Sequence, residues 1–251
     1  MSNERKVAVV TGAAGGIGSA VVKKFYKNDY DVVMVDVTEE GIKKVIADNN
    51  FPEDRVSWYV MDISDEEQVK NNLADVKAKK GRIDALVNTA GIVGKYNPTI
   101  DYSFENFKRI YEVNVFGTFL MMKYALPTMV EQNYGRIVNF GSVSGMTGYT
   151  FEIGYGSSKW AVIGMTKNVA NEYGPHNIHA NSVSPGWVDT PMFWGTLEDY
   201  KNFDDSEVNL GPLGRPSKPE ELADVVYYLC TEDAFIINGS NVLADGGKML
   251  G

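Results

Sequence analysis

The feature that most constrains this chain is a run of small residues set between two different patterns. Val7-Ala8-Val9-Val10 is apolar at every position and rich in β-branching, which suits a strand buried on both faces of a parallel sheet. It runs into Thr11-Gly12-Ala13-Ala14-Gly15-Gly16-Ile17-Gly18, and a helical pattern follows over 19–28. Strand, glycine turn and helix N-terminus in succession make an anion site, because backbone N–H groups point outward there and the helix dipole favours a phosphate. Gly12 permits a tight turn, Gly16 lets the backbone approach a pyrophosphate, and Gly18 lets helix and strand pack closely. Gly12, Gly15, Gly16, Ile17 and Gly18 are therefore candidate dinucleotide-binding residues; the plainer reading is a glycine-rich βα turn.

The next apolar run, Asp31-Val32-Val33-Met34-Val35-Asp36, reads as a second strand ending in an acid. A carboxylate at that point accepts hydrogen bonds from the adenosine ribose hydroxyls and repels a 2′-phosphate. Val37 follows it, and Ala14 and Gly15 occupy the turn, so no Lys or Arg is placed to pair with such a phosphate. NAD (NADH) is the expected cofactor, with NADP disfavoured; a helix N-cap before Thr38 is the alternative role for Asp36. A third strand is expected over 55–60, and Ser64 with Glu67 reads as a capping box for a helix reaching Lys80. Asp62 either reaches the adenine amino group or simply ends the strand. A fourth strand over 83–87 leads into Asn88-Thr89-Ala90-Gly91, small residues at the sheet edge where open α/β folds bind ligands.

A long helical stretch follows over 104–132 and contains Asn114 among Val113, Val115 and Phe116. A polar amide there needs partners if buried; it is either structural or part of a proton path. A fifth strand over 136–140 ends in Gly141-Ser142, placing the Ser142 hydroxyl at another strand end, although a lone loop serine is commonly just a turn former. The helix expected over 154–173 carries Tyr155 and Lys159 on one face, one turn apart. A phenol ordinarily titrates near ~10, too high for acid–base work at neutral pH. A neighbouring ammonium favours the phenolate and is expected to pull that value down. By itself this spacing equally describes a solvated helix face.

A sixth strand over 178–183 precedes Pro185-Gly186-Trp187-Val188-Asp189-Thr190. Over 192–210 aromatic residues (Phe193, Trp194, Tyr200, Phe203) mix with acids (Glu198, Asp199, Asp204, Asp205, Glu207), which suggests a lid at about 190–212. Packing against a neighbouring subunit is the duller option. Pro219 opens the last major helix, and Asn241-Val242-Leu243-Ala244 reads as a seventh strand before Asp245-Gly246-Gly247. At 251 residues, with no internal repeat or linker, one α/β domain over 1–251 is expected. A net charge of −9 and the lack of a basic stripe argue against a nucleic-acid partner. The single Cys230 sits in an apolar helical setting and fits a reducing compartment. His176 and His179 have no metal-type partners, and no apolar run reaches spanning length, so a soluble cytoplasmic protein without a metal or membrane partner is expected.

Taken together these segments resemble the short-chain dehydrogenase/reductase family over essentially the whole chain. The resemblance rests on Thr11-Gly12-x-x-x-Gly16-x-Gly18, Asn88-Thr89-Ala90-Gly91, Asn114, Ser142, Tyr155 with Lys159, Pro185-Gly186 and Asp245-Gly246-Gly247. One departure is Thr89, where the family often has a second asparagine; a local hydrogen bond from threonine is expected to leave function little changed. The resemblance implies a Rossmann-type, doubly wound, seven-stranded parallel sheet in the order 3-2-1-4-5-6-7 with helices on both faces. It also implies a homotetramer assembled through the helices that carry Asn114 and Tyr155. Val37, Asp62, Ile63, Asn88, Ala90, Gly91, Pro185, Gly186, Val188 and Thr190 would join the glycine turn and Asp36 around the dinucleotide.

By the same resemblance, Tyr155 is the proton donor or acceptor, and Lys159 lowers its pKa and holds the nicotinamide ribose. Ser142 steadies the substrate oxygen, and Asn114 holds a water linking Lys159 to solvent. Tyr149, Phe151, Trp187, Phe193 and Trp194 are expected around the substrate, and their character favours a neutral, partly apolar secondary alcohol or ketone. NADPH-dependent reduction of a 3-oxoacyl carrier protein is an alternative within the fold, and Asp36 argues against it. A non-catalytic NAD-binding sensor is the alternative of another class, opposed by the complete tetrad. A lyase or epimerase on the same nucleotide fold would show no net change in NADH during turnover.

Overall fold

The computed structural model describes residues 5–52, 54–201 and 209–250. Its strands are β1 (Val7–Thr11), β2 (Asp31–Asp36), β3 (Val56–Val60), β4 (Ala85–Asn88), β5 (Gly135–Phe140), β6 (Ile178–Pro185) and β7 (Asn241–Ala244). All pair in parallel, in the order β3-β2-β1-β4-β5-β6-β7. The helices are α1 (Gly16–Lys27), α2 (Glu39–Asn49), α3 (Glu66–Lys80), α4 (Phe104–Tyr111), α5 (Thr118–Glu131), α6 (Ile153–Tyr173), α7 (Pro191–Lys201) and α8 (Pro219–Leu229).

Strand alternation explains why apolar residues fill every position of the inner strands. In β1, Ala8 and Val10 join the core under α1 and α8, while Val7 and Val9 join the core under α3 and α5. Val32 and Met34 of β2 face the first core, and Val33 and Val35 the second. Cys230 is fully buried in the first core, the setting its apolar neighbours in sequence suggested. Strand order reverses between β1 and β4, which opens a crevice beyond the carboxyl ends of the strands.

Two local readings are corrected. The α3 N-cap is Asp65, not Ser64: Asp65 accepts from the Gln68 N–H at 3.1 Å, and the Gln68 side-chain amide donates back at 2.9 Å. Ser64 is drawn away because its hydroxyl donates to Asp62 at 2.6 Å. The stretch over 104–132 is helical throughout but not uniform, because its middle turn, Glu112–Gly117, is a π turn. That wider turn holds Asn114, and such bulges are common where a helix places a functional side chain. Within the expected lid, α7 is a helix; Phe203, Asp204, Asp205 and Glu207, and the side chain of Tyr200, lie outside the described residues. Among the described residues no helix is long and apolar enough to cross a membrane.

Candidate active site

The crevice forms a cavity of about 460 Å³ that runs from Asp36 at one end to Trp187 and Lys248 at the other. Its first wall is the glycine turn. Gly12 has φ +60°, a left-handed conformation that favours glycine, and a Cβ there would meet the Ala90 backbone at 2.9 Å. A Cβ on Gly18 would run into the Gly12 carbonyl, so the start of α1 sits directly on the turn. Helix α1 has no side-chain cap at Gly15 and no acid in its first turn, so backbone N–H groups at its start remain for an anion. Asp36 lies at the adjoining strand end, held by the Ala14 N–H at 3.0 Å and the Thr38 N–H at 3.1 Å. An uncapped helix start, a wall cleared of side chains and an anchored acid at the next strand fit a dinucleotide.

Thr89 is the other anchor of this wall. Its hydroxyl donates to the Thr11 carbonyl at 2.5 Å, and the Ala90 N–H donates to the Thr11 hydroxyl at 3.2 Å. The threonine at the family's asparagine position thus ties β4 to β1. Val37, Asp62, Ile63, Ala90, Gly91, Pro185, Gly186, Val188 and Thr190 all line the cavity, as does Thr89. Asn88 does not. Its side chain is buried and donates to Asn139 at 2.8 Å, and Asn139 donates to Thr166 of α6 at 2.9 Å, so this amide chain stitches strands to helix behind the wall. Asp62 spends its carboxylate on the Ser64 N–H at 2.9 Å and on Arg109 at 3.4 Å, with its pKa held below the usual carboxylate range.

At the opposite end, Ser142, Tyr155 and Lys159 share one wall. Ser142 follows β5 and caps the short turn Val143–Gly145 by accepting from the Ser144 N–H at 3.1 Å. Its hydroxyl also stands close enough to the Tyr155 phenol to favour the phenolate. The Lys159 ammonium is buried, donates to the Phe140 carbonyl at 2.9 Å and lies 5.5 Å from the centre of the Tyr155 ring. The expected lowering of the phenol pKa is not found in this arrangement. Burial pushes Tyr155 up to about 12, with Ser142 opposing, and pushes Lys159 down to about 8. The physical reason is that both groups are desolvated, and a neutral carbonyl is a weaker partner for an ammonium than a carboxylate. A phenol in this state keeps its proton across the neutral range but is a weak acid there, and bringing it into working range requires more than Lys159 as placed here.

Asn114 stands behind this wall rather than on it. Its amide oxygen accepts from the Ile92 N–H at 2.8 Å, and its nitrogen donates to the Ile92 carbonyl at 2.9 Å and to Ser158 at 3.0 Å. It and Lys159 flank Gly91, whose added Cβ would lie 3.2 Å from the Asn114 amide oxygen and 3.5 Å from the ammonium. Of the residues expected around the substrate, Tyr149, Trp187 and Phe193 line the cavity, whereas Phe151 and Trp194 do not. Trp194 is turned outward, its indole N–H donating to Asp189 at 2.9 Å. Phe151 lies in the loop before α6 at φ +68°, where its carbonyl accepts from the Asn97 N–H at 3.3 Å.

Several wall residues were missed from sequence: Tyr96, Ser144, Glu152, Thr196 and Lys248. Glu152 had a usable signal, since a residue three before Tyr155 at a helix start shares its face. Tyr96 sits in a loop and Lys248 at the start of a single 3-10 turn, neither with a periodicity to place it.

The comparisons with known proteins agree with this geometry. A family model described as enoyl-(acyl carrier protein) reductase matches residues 12–248. The 3-oxoacyl-[acyl-carrier-protein] reductase FabG of Thermotoga maritima is 35% identical over 250 residues, covering 100% of both chains. The meso-2,3-butanediol dehydrogenase of Serratia marcescens is 35% identical, covering 98% of this chain and 96% of the relative. Among solved structures, an NAD+-bound xylitol dehydrogenase superposes with TM-score 0.91 at 30% identity, covering 98% of this chain and 100% of that one. ElxO with NADP bound gives TM-score 0.90 at 34% identity, again covering 98% and 100%. This chain is a member of the short-chain dehydrogenase/reductase family, with the Rossmann-type fold of its relatives. It is an oxidoreductase of a family whose relatives act on alcohols and ketones and whose structural neighbours bind NAD or NADP.

Proposed function

We propose that this protein is an NAD-dependent dehydrogenase/reductase acting on a neutral secondary alcohol or ketone. The observation that carries the reading is the sharing of one cavity: the glycine turn and Asp36 form one end, and Ser142, Tyr155 and Lys159 the other. Gly12, Gly15, Gly16, Ile17 and Gly18 would hold the pyrophosphate, Asp36 the adenosine ribose, and Val188 and Thr190 the nicotinamide side. Bound there, the dinucleotide supplies or accepts the hydride, so that a carbonyl gains a C–H bond while its oxygen gains a proton, or the reverse.

Tyr155 gives that proton from its phenol during reduction and takes it back during oxidation. Ser142 holds the substrate oxygen beside the phenol. Lys159 keeps positive charge near the developing alkoxide and would hold the nicotinamide ribose of a bound dinucleotide. Asn114 fixes the segment at Ile92 against α6 and is proposed to hold the water that links Lys159 to solvent. NAD is favoured over NADP because Asp36 occupies the ribose end, while Arg109 is engaged by Asp62, Lys159 by Phe140 and Lys248 by Tyr149. Exposed Phe116, Phe119 and Trp160 on the helical faces support a homotetramer, and the lone cysteine a cytoplasmic setting.

The similarity to FabG favours a second reading, reduction of a 3-oxoacyl carrier protein. The test is one screen: a panel of secondary alcohols, ketones and a 3-oxoacyl thioester, each followed at the nicotinamide absorbance band with NAD(H) and NADP(H). Turnover of simple alcohols or ketones with better kcat/KM for NAD(H) is expected. A preference for NADPH and the thioester would overturn the proposal in favour of the second reading. No turnover of any substrate with intact NADH binding would point to a sensor.

A further inference from the structure

Beside Tyr155 the cavity wall carries a carboxylate that the proton-transfer group does not use. Glu152 precedes α6, is 9% exposed and lines the cavity. One of its oxygens, Oε1, accepts a long hydrogen bond from the Tyr96 phenol at 3.4 Å. Its other oxygen, Oε2, has no hydrogen-bond partner among the described residues. The Ser144 hydroxyl and the Lys248 charge favour its ionised form, and burial opposes it strongly enough to raise its pKa. A carboxylate has about four acceptor positions, and a buried one with so few donors is costly. The soft terminal torsion of glutamate lets either oxygen turn toward the cavity.

Among the described residues nothing donates to Oε2. Tyr96 reaches only Oε1, and the Ser144 hydroxyl stands close enough to favour the ionised form. Lys248 is directed to the Tyr149 hydroxyl at 3.0 Å and sits 4.8 Å from the centre of the Trp187 ring. A donor carried by the substrate is the missing partner. That donor is neutral. An ammonium would bring a third cation beside Lys159 and Lys248 in a desolvated site, and an anion would face the Glu152 carboxylate directly. A hydroxyl donates to Glu152 without adding charge.

We infer that Glu152 is the specificity-determining residue of this site and that it accepts a hydrogen bond from a second hydroxyl on the substrate, close to the reacting carbon. The substrate class is then a neutral diol, polyol or hydroxyketone rather than a simple alcohol. This rests on the alcohol/ketone reading above. A site built to bond a substrate hydroxyl rejects the analogue lacking it by about 10⁴-fold in favourable cases; with a partner as adaptable as glutamate, about a hundredfold preference is the expected scale.

The test measures kcat/KM for matched pairs: 2,3-butanediol against 2-butanol, 1,2-cyclohexanediol against cyclohexanol, and acetoin against 2-butanone. Each pair is run with the wild type, Glu152→Gln and Glu152→Leu, after NADH binding and thermal melting have been checked. The wild type should prefer the hydroxylated member of at least one pair by about a hundredfold. In Glu152→Leu that ratio should collapse toward unity, with Glu152→Gln between. If Glu152→Leu does not fold, the isosteric Glu152→Gln decides alone by the fall in the same ratio. A wild type that turns over only the single-hydroxyl members, or variants that keep the ratio, would overturn the assignment while leaving the alcohol/ketone reading standing. No turnover of any member by the wild type would overturn both.

Discussion

The two ends of the cavity are made of different materials. The end near β1 and α1 is built from backbone: a glycine turn, an uncapped helix start and a wall from which side chains are excluded. The end near α6 is built from ionisable side chains, Glu152 and Lys159 buried and Tyr155 half-buried, all shifted by desolvation. A backbone site is the same for every dinucleotide chemistry, because N–H groups and helix dipoles ask only for phosphate. A side-chain site carries choice, because each desolvated group demands a particular partner. The difference teaches where this protein keeps its common function and where it keeps its particular one.

That contrast can be broken at either end. The largest effect on cofactor binding is expected from Gly18→Val, whose side chain would enter the space of the Gly12 carbonyl. Overpacking of this kind costs about 3 kcal/mol; where the turn is displaced to relieve it, NADH affinity should fall by up to about a hundredfold, measured by fluorescence titration. Unchanged affinity would remove the glycine wall from the cofactor site.

The pH profile of ketone reduction probes the other end. Tyr155, at about 12, stays protonated through the working range, whereas Lys159, at about 8, loses its proton within it. Reduction needs the protonated phenol and the charged ammonium, so kcat/KM should be level below that value and fall above it. The limiting slope is about tenfold per pH unit. In Lys159→Met the fall should vanish at a uniformly lower rate. The smallest effect belongs to Thr89→Val, which removes one hydrogen bond to Thr11 and should cost about 1 kcal/mol in denaturant unfolding.

The backbone end was the legible one. Glycines between a strand and a helix leave a plain mark, so the turn and the acid ending the next strand could be read before any coordinates, while the strand order came only from the family resemblance. The side-chain end was legible only where residues share a helix, as Tyr155 and Lys159 do. Glu152 lay three residues before Tyr155 and was passed over, because a carboxylate in a loop looks like a solvated one until its burial is known. Asn88 and Trp194 misled for the opposite reason. Each lies beside wall residues in sequence, but strand pleat and helix turn direct one toward Asn139 and the other toward Asp189. The sign of the Tyr155 shift was misjudged because spacing reveals a neighbouring charge and says nothing of the solvent both groups lose.

The most direct measurement is a paired assay of Tyr155→Phe on one preparation, with NADH binding by fluorescence and ketone reduction by absorbance. Removing one hydroxyl deletes the proposed proton donor and touches nothing in the glycine turn. The account predicts NADH affinity close to the wild type and a rate lower by about 10²- to 10⁴-fold. Wild-type turnover in that variant would contradict it.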